Sequence, residues 1–450
     1  MTKHLAKTNV PLYLRNKRAG KAASRQRRLW QLNQTVLAKT KAQHAAFGKT
    51  SRIVEMFANG APDVNVIRKK RVRFTLPSGF SMIENPEQTI AALSDLARQM
   101  KAQRLGTVFL DFGKLTTYDL GANGLLDVLV DELSTQARQT GRRIRWRGTY
   151  PCDPGHRRFM KAMGVIRRLK IEREYPNKDE GDRLVLFDER SKHYERQLRP
   201  READRKARVT QRFADYVNKC LSSVGRQLTD SARGRLCQYV GEIIDNAEEH
   251  SDMLDWAIQG YLDTQLPAPM CEIVIFNFGR SIAESLEQLP PQSYTRIQTE
   301  RYLDLHKTGN FFRRGWRRED LFTLIALQGN VSSKNYSETD TRGNGTVDLI
   351  EFFQGMQAEC AVGANGTPGN ARMVIVSGST YVLFDGKYQM RANAEGNCII
   401  AFNGANDLRE RPDSTYVRQL EGVCFPGTVI CLKFALSPSE STLTSTDEKP

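Results

Sequence analysis

The stretch GEIIDNAEEHS, residues 241–251, decides how the C-terminal half of this chain is read. Leu236, Val240, Ile243, Ile244 and Ala247 recur at helical spacing and form one apolar face. Glu242, Asn246 and His250 follow one another at intervals of four, so on a helix they drift little and line one stripe beside that face. Asp245, Glu248 and Glu249 fall on the outer side and read as solvated. Such a helix anchors on a sheet and holds its polar stripe at the rim of the core. A polar rim is ordinary, but these residue types also suit a chemistry. A carboxylate can take a proton from water, and a neutral carboxamide one turn on can ligate Mg²⁺ without adding an anion.

Working outward, two long helices, about 206–224 and 230–250, precede a buried strand in CEIVIFNF, 271–278. A long irregular and helical stretch, 280–345, follows; insertions of that length inside a compact unit usually form functional loops or lids. Strands resume at ARMVIVSG (371–378), TYVLFDG (380–386), NCIIAFNG (397–404) and GTVICLKF (427–434). The spacing therefore predicts an α/β unit over 209–437 and a frayed tail over 438–450.

The pattern Glu242-x-x-x-Asn246-Ala247 resembles the N-box of the ATPase family that includes histidine kinases, gyrase, a heat-shock chaperone and MutL. The elements downstream follow that family's order. IFNFGRSI (275–282) stands where the family has D-x-G-x-G, keeping Gly279 but with Asn277 for the acid and Ser281 for the second glycine. TDTRGNGTVDLI (339–350) resembles its second glycine box, after a lid ending LIALQGNVSSK (324–334), and Thr428 stands in its closing strand. The resemblance implies a Bergerat-type α/β sandwich with a mixed sheet, binding ATP with Mg²⁺. Glu242 would be the catalytic base and Asn246 the metal ligand. Asn277, Gly279 and Thr428 would meet the adenine, Gly343, Asn344 and Gly345 the phosphates, and Lys334, with Arg313, Arg314, Arg317 and Arg318 behind it, the γ-phosphate. His250 either caps the stripe or lines the nucleotide site. Asn277 is uncharged, so its hydrogen bond to the base is weaker than a carboxylate's and base selectivity is open.

Upstream, strands at 71–77, 106–112, 143–148 and 183–187 alternate with helices at 87–102, 123–138 and 154–168, which reads as a smaller α/β domain over 70–190. VFLDFGKLTTYDLGANGLLDVLVDEL (108–133) resembles the strand, loop and helix of a STAS-type domain, the fold of anti-sigma-factor antagonists. That family is phosphorylated on a serine after the aspartate at the helix start; here Asp119 is followed by Leu120 and Gly121, so the acceptor hydroxyl is missing. Residues 191–208 are charged and poor in large apolar side chains, the composition of a linker.

The first 73 residues hold eighteen Lys or Arg against Glu55 and Asp63, which accounts for the whole formal net charge of +16. Residues 1–69 thus form a basic arm, expected to be partly disordered. It is either a solvating tail or a contact for nucleic acid, acidic proteins or lipid head groups, and its acid-free start also superficially resembles an organellar presequence. No apolar run reaches the length of a membrane span, and the eight cysteines never form a CxxC pair, which together suggest a cytoplasmic protein with reduced thiols. Expected partners are ATP, a protein through the STAS-like domain, nucleic acid through 1–73, no membrane, and a second copy in a homodimer. The leading expectation is a slowly hydrolysing ATP switch. An anti-sigma-type protein kinase and a non-catalytic, ATP-sensing nucleic-acid binder are the alternatives.

Overall fold

The computed structural model describes residues 51–59, 71–102, 106–139, 143–169, 183–191, 205–250, 253, 255–266, 268–308, 317–328, 345–360, 371–392 and 398–436. The chain divides into Met1–Thr50 and Ser51–Pro450, and every described element belongs to the second unit. The expected tail, most of the arm and most of the linker lie outside the described residues. The helices are α1 (Arg52–Asn59), α2 (Pro86–Ala102), α3 (Leu120–Gln139), α4 (Pro154–Met163), α5 (Val165–Arg168), α6 (Arg205–Ser222), α7 (Asp230–His250), α8 (Ile282–Glu287), α9 (Tyr294–Thr308), α10 (Arg318–Ala326) and α11 (Gly345–Cys360). The strands are β1 (Arg71–Thr75), β2 (Gly79–Phe80), β3 (Thr107–Asp111), β4 (Thr117–Tyr118), β5 (Arg145–Thr149), β6 (Leu184–Ser191), β7 (Trp256–Asp263), β8 (Met270–Phe278), β9 (Arg372–Gly378), β10 (Thr380–Phe384), β11 (Arg391–Ala392), β12 (Cys398–Ile399), β13 (Val417–Gln419) and β14 (Phe425–Ala435).

In the N-terminal part, β1, β3 and β5 form a parallel sheet in the order β1-β3-β5, as strands alternating with helices require. Val72, Phe74, Val108 and Leu110 point to the helix side and are buried. The indole of Trp146 donates to Ser134 Oγ on α3 at 2.8 Å. The helix expected over 154–168 is broken: Asp153 caps its start, accepting from the His156 amide, and Gly164 ends α4 before α5 begins.

Seven strands in the order β13-β10-β9-β14-β8-β7-β6 form the second sheet, and every neighbouring pair is antiparallel. The mixed sheet expected from the sequence is therefore corrected. Strand β9 reverses directly into β10 at Gly378 (φ 59°), and β14 enters between β8 and β9 antiparallel to both. The run RLVLF, expected to belong to the N-terminal domain, instead opens β6, the edge of this sheet, paired with β7 from Leu184 to Ser191. NCIIAFNG is also not the strand expected. Among its described residues only Cys398 and Ile399 are in a strand, and Phe402 and Asn406 adopt φ of 54° and 49° while the Asn406 carboxamide bonds Ala401 N and Ile399 O. Much of the expected lid, 280–345, is helical and packed: Leu286, Leu303, Leu321, Phe322 and Ile325 are all core residues.

One face of the large sheet packs on α6, α7, α10 and α11 through Phe213, Val240, Phe322 and Phe353. The other packs on the N-terminal part, where Phe57, Leu125 and Leu129 share an apolar cluster with Val274, Phe276, Phe278 and Val429. Polar ties cross this seam. Arg158 bonds the buried Asp263 at 3.0 Å, beside the in-sheet partner Arg183 at 2.5 Å, and the Tyr381 hydroxyl donates to Ile83 O at 2.9 Å. The expected division at 191–208 thus separates two stretches of sequence that complete one layered body.

Strand β14 carries a bulge between Phe425 and Thr428, where Gly427 takes φ 142°. A Cβ there would sit 2.1 Å from the Asn277 carbonyl oxygen. Gly427→Ala is expected to lower unfolding free energy by about 1–3 kcal/mol, the usual cost of a side chain in that backbone region, seen as a shift of the urea midpoint at constant slope.

Candidate functional site

Helix α7 sits on the sheet through Leu236, Val240, Ile244 and Ala247. Its Gly241 and Asp245 turn toward α6: a Cβ on Gly241 would be in van der Waals contact with Lys206 and Thr210, and Lys206 Nζ bonds Asp245 at 2.7 Å. Glu242 and Asn246 each follow one of those residues and so point about 100° further round, on the flank away from α6. Helix α11 also packs along α7. Glu242 is half-buried, with Gln238 Nε2 3.4 Å from its Oε1, and Asn246 is exposed. His250 is the last residue of α7, and its side chain lies outside the described residues.

At one end of the sheet three polar side chains lie side by side. Asn277 on β8 pairs in register with Thr428 on β14, which pairs with Ser377 on β9. Directly opposed residues in a ladder project to the same side, here the side that carries α7, since Ile275, Ile430 and Ile375 two residues away join that core. Thr428 Oγ1 and Ser377 Oγ are 2.8 Å apart, and Ser377 Oγ also accepts the Ile282 amide at 2.8 Å. Trp256 on β7 opposes Asn277 from the other side. Its indole donates to Glu248 Oε1 at 2.9 Å, and Arg205 stacks over its ring at 5.5 Å. That bond ties Glu248, near the end of α7, to the strand beside Asn277. Glu248, read from sequence as solvated, is therefore a positioning contact.

Gly279 follows β8 with φ 122°, its N–H donating to Pro426 O at 3.1 Å. Ser281, in place of the second glycine, caps α8: its hydroxyl accepts the Glu284 amide at 3.2 Å while Glu284 Oε2 accepts the Ser281 amide at 2.7 Å. Gly345 is the first residue of α11. Gly343, Asn344, Lys334, Arg313 and Arg314 lie outside the described residues.

Two of the expected phosphate cations are engaged elsewhere. Arg317 bonds Ser379 Oγ and lies 3.3 Å from Glu319, whereas Arg318 bonds Glu287 and Glu300, both at 2.9 Å, and stacks on Phe322. They pin α10 to the β9–β10 turn and to α8 and α9. Ser377 was not foreseen from sequence; its signal is the Ser-Gly pair ending ARMVIVSG, where the strand must turn.

Among the described residues no cluster of His, Cys, Asp and Glu could hold a metal by itself. The donor set on α7, a carboxamide oxygen and a carboxylate one turn apart, suits a hard cation that draws most of its ligands from phosphate and water. No helix among the described residues is long and apolar enough to cross a membrane, and Cys152, Cys220, Cys237, Cys271, Cys398, Cys424 and Cys431 are free thiols.

Asp119, just before α3, is buried against the large sheet. Its carboxylate accepts from Ser81 Oγ (2.5 Å), Ile83 N (3.1 Å) and Ala122 N (2.8 Å), while Glu272 of β8 accepts the Leu120 amide at 2.8 Å. Burial, with Glu272 beside it, pushes the Asp119 carboxyl above its ordinary range, and Lys433, 3.0 Å from Glu272, offsets part of the charge. A carboxylate of the same chain thus occupies the start of α3. No family model, no curated protein and no solved structure matches this chain.

Proposed function

We propose that the C-terminal part is a Bergerat-type nucleotide-binding domain that binds ATP with Mg²⁺ and hydrolyses it slowly. In this reading the nucleotide switches a partner-binding state, and the STAS-like N-terminal part backs the sheet. The adenine would lie at Asn277, Gly279 and Thr428; Gly343, Asn344 and Gly345 are proposed for the phosphates, Lys334 for the γ-phosphate and His250 for the nucleotide site on the sequence resemblance alone. Asn246 would hold Mg²⁺, which neutralises phosphate charge when bound. Glu242 orients and deprotonates the attacking water.

The observation that carries this reading is the in-register pairing of Asn277 with Thr428 at one end of the sheet, beside Trp256, whose indole bonds Glu248 near the end of α7. One motif supplies phosphate and water chemistry, the other a base-recognition edge, and they lie far apart in sequence. The kinase alternative gains nothing from the N-terminal part, since Asp119 is buried and no hydroxyl follows it.

Calorimetric titration with ATP, GTP and ADP, with and without Mg²⁺, tests the reading. ATP is expected to bind in the presence of Mg²⁺ and to weaken when the ion is omitted. Asn277→Asp is expected to raise preference for ATP over GTP by about five- to tenfold, because a charged acceptor holds the adenine amino group more strongly. Absence of binding by all three nucleotides sinks the proposal.

A further inference from the structure

Parallel sheets are normally covered on both faces, so that their strands are apolar throughout. The β1-β3-β5 sheet departs from this. Its apolar residues alternate with a second set that faces away from α2 and α3. In register, that set forms three rows: Arg71, Thr107 and Arg145; then Arg73, Phe109 and Arg147; then Thr75, Asp111 and Thr149. All four arginines are exposed, Phe109 is half-exposed, and the Arg73 guanidinium lies 4.9 Å from the Phe109 ring centroid. Arg143, also exposed, continues the alternation before β5. The one carboxylate, Asp111, lies in the last row and is taken up by Arg73 (2.6 Å), Thr149 (2.6 Å) and the Gly113 amide (3.1 Å).

We propose that this face binds single-stranded RNA. An aromatic ring among arginines on a sheet offers a surface on which an unstacked base can lie once the Arg73 guanidinium over the ring is displaced, with Arg71, Arg145 and Arg147 around it for the phosphates. Neighbouring strands are about 4.8 Å apart and alternate residues about 6.6 Å apart along a strand, so the cations form a grid around Phe109 rather than a single point. A duplex hides its base faces and could use only the arginines. Thr107, between Arg71 and Arg145, supplies a hydroxyl able to donate to or accept from a ribose 2′-OH, which favours RNA over DNA. This inference is independent of the nucleotide reading and of residues 1–70, because every residue it uses lies in or next to the described sheet.

The test is fluorescence anisotropy of a labelled oligouridylate titrated with the full chain over a series of salt concentrations. The double variant Arg145→Ala, Arg147→Ala is expected to bind more weakly and to flatten the log K against log salt slope by about 1.4, two single-strand phosphate contacts. Phe109→Ala is expected to weaken binding at least about fivefold, whereas Phe109→Tyr retains it. Duplex RNA should be insensitive to Phe109→Ala. Circular dichroism and melting temperature of each variant should match the parent, since these side chains lie outside the core. Because residues 1–70 are present in every protein compared, unchanged affinity and slope in the double variant would assign any binding to the arm and overturn the proposal. Equal affinity for oligodeoxyuridylate, or competition by polyglutamate as effective as by RNA, would overturn it as well.

Discussion

Arg190→Met is expected to lower the free energy of unfolding by about 3–5 kcal/mol at neutral pH, the cost of leaving a buried ion network without one partner. Arg190 lies on β6 with a side chain only 9% exposed. It bonds Asp127 on α3 at 2.5 Å and Asp188 at 3.2 Å; Arg168 on α5 bonds the same two carboxylates at 3.1 and 3.3 Å, and Gln259 donates to Asp188 at 3.0 Å. Two cations and two anions thus close a neutral set across the seam between the N-terminal part and the large sheet. Burial works against the charge on Arg190, yet Asp127 and Asp188 hold its pKa above the ordinary value. Burial likewise works against the Asp188 carboxylate, but Arg190, Gln259 and Arg168 keep its pKa below the ordinary one.

The sign of the pH dependence follows. A carboxyl with a depressed folded-state pKa stabilises above its unfolded value, about 4, and that contribution fades as pH falls through the lower folded value. In the variant Asp188, left without Arg190, is more easily protonated, so the deficit should narrow on acidification below about pH 5. Asp127→Leu added to Arg190→Met should recover most of the loss, because Arg168 and Asp188 still pair. Urea unfolding at several pH values measures all three. A deficit under about 1 kcal/mol, or one that does not change with pH, would show that the seam does not depend on this network.

The same network marks the limit of what the sequence could tell. Helices with a strong apolar stripe were legible to within a few residues: 206–224 and 230–250 against α6 and α7. So were long apolar strands such as CEIVIFNF, now β8. Their side-chain periods decide them locally. What periodicity does not encode is the partner strand. RLVLF suits either sheet, and its place is set by β7 and by Asp188 and Arg190, whose partners Asp127, Arg168 and Gln259 are remote in sequence. The stretch TERYLDLH within α9 lacks a broad apolar face, so it read as part of a lid, although Leu303 is completely buried. Of the candidate site, Asn277 and Thr428 were each visible as strand residues, and their adjacency came from the register. Glu248 escaped notice because its partner Trp256 lies beyond the helix, where no spacing rule connects them.

Glu242→Ala is expected to leave ATP binding with Mg²⁺ intact and to lower hydrolysis by about a hundred- to ten-thousandfold, the range for loss of a positioned general base. Asn246→Ala is expected instead to lose the Mg²⁺-dependent part of the affinity. The two residues lie one turn apart on the same flank of α7, so a general disturbance of the helix would affect both readouts together. A split between turnover and binding separates their roles. Their surroundings make the comparison clean. Asn246 is exposed and Glu242 half-buried, with Gln238 at 3.4 Å, and alanine has a higher helix propensity than either residue. Both variants should therefore unfold at the parent temperature or slightly above it. Hydrolysis unchanged in Glu242→Ala would remove that carboxylate as the base. Asn246→Ala with undiminished Mg²⁺ dependence would place the ion elsewhere and leave the α7 stripe as the polar edge of a core.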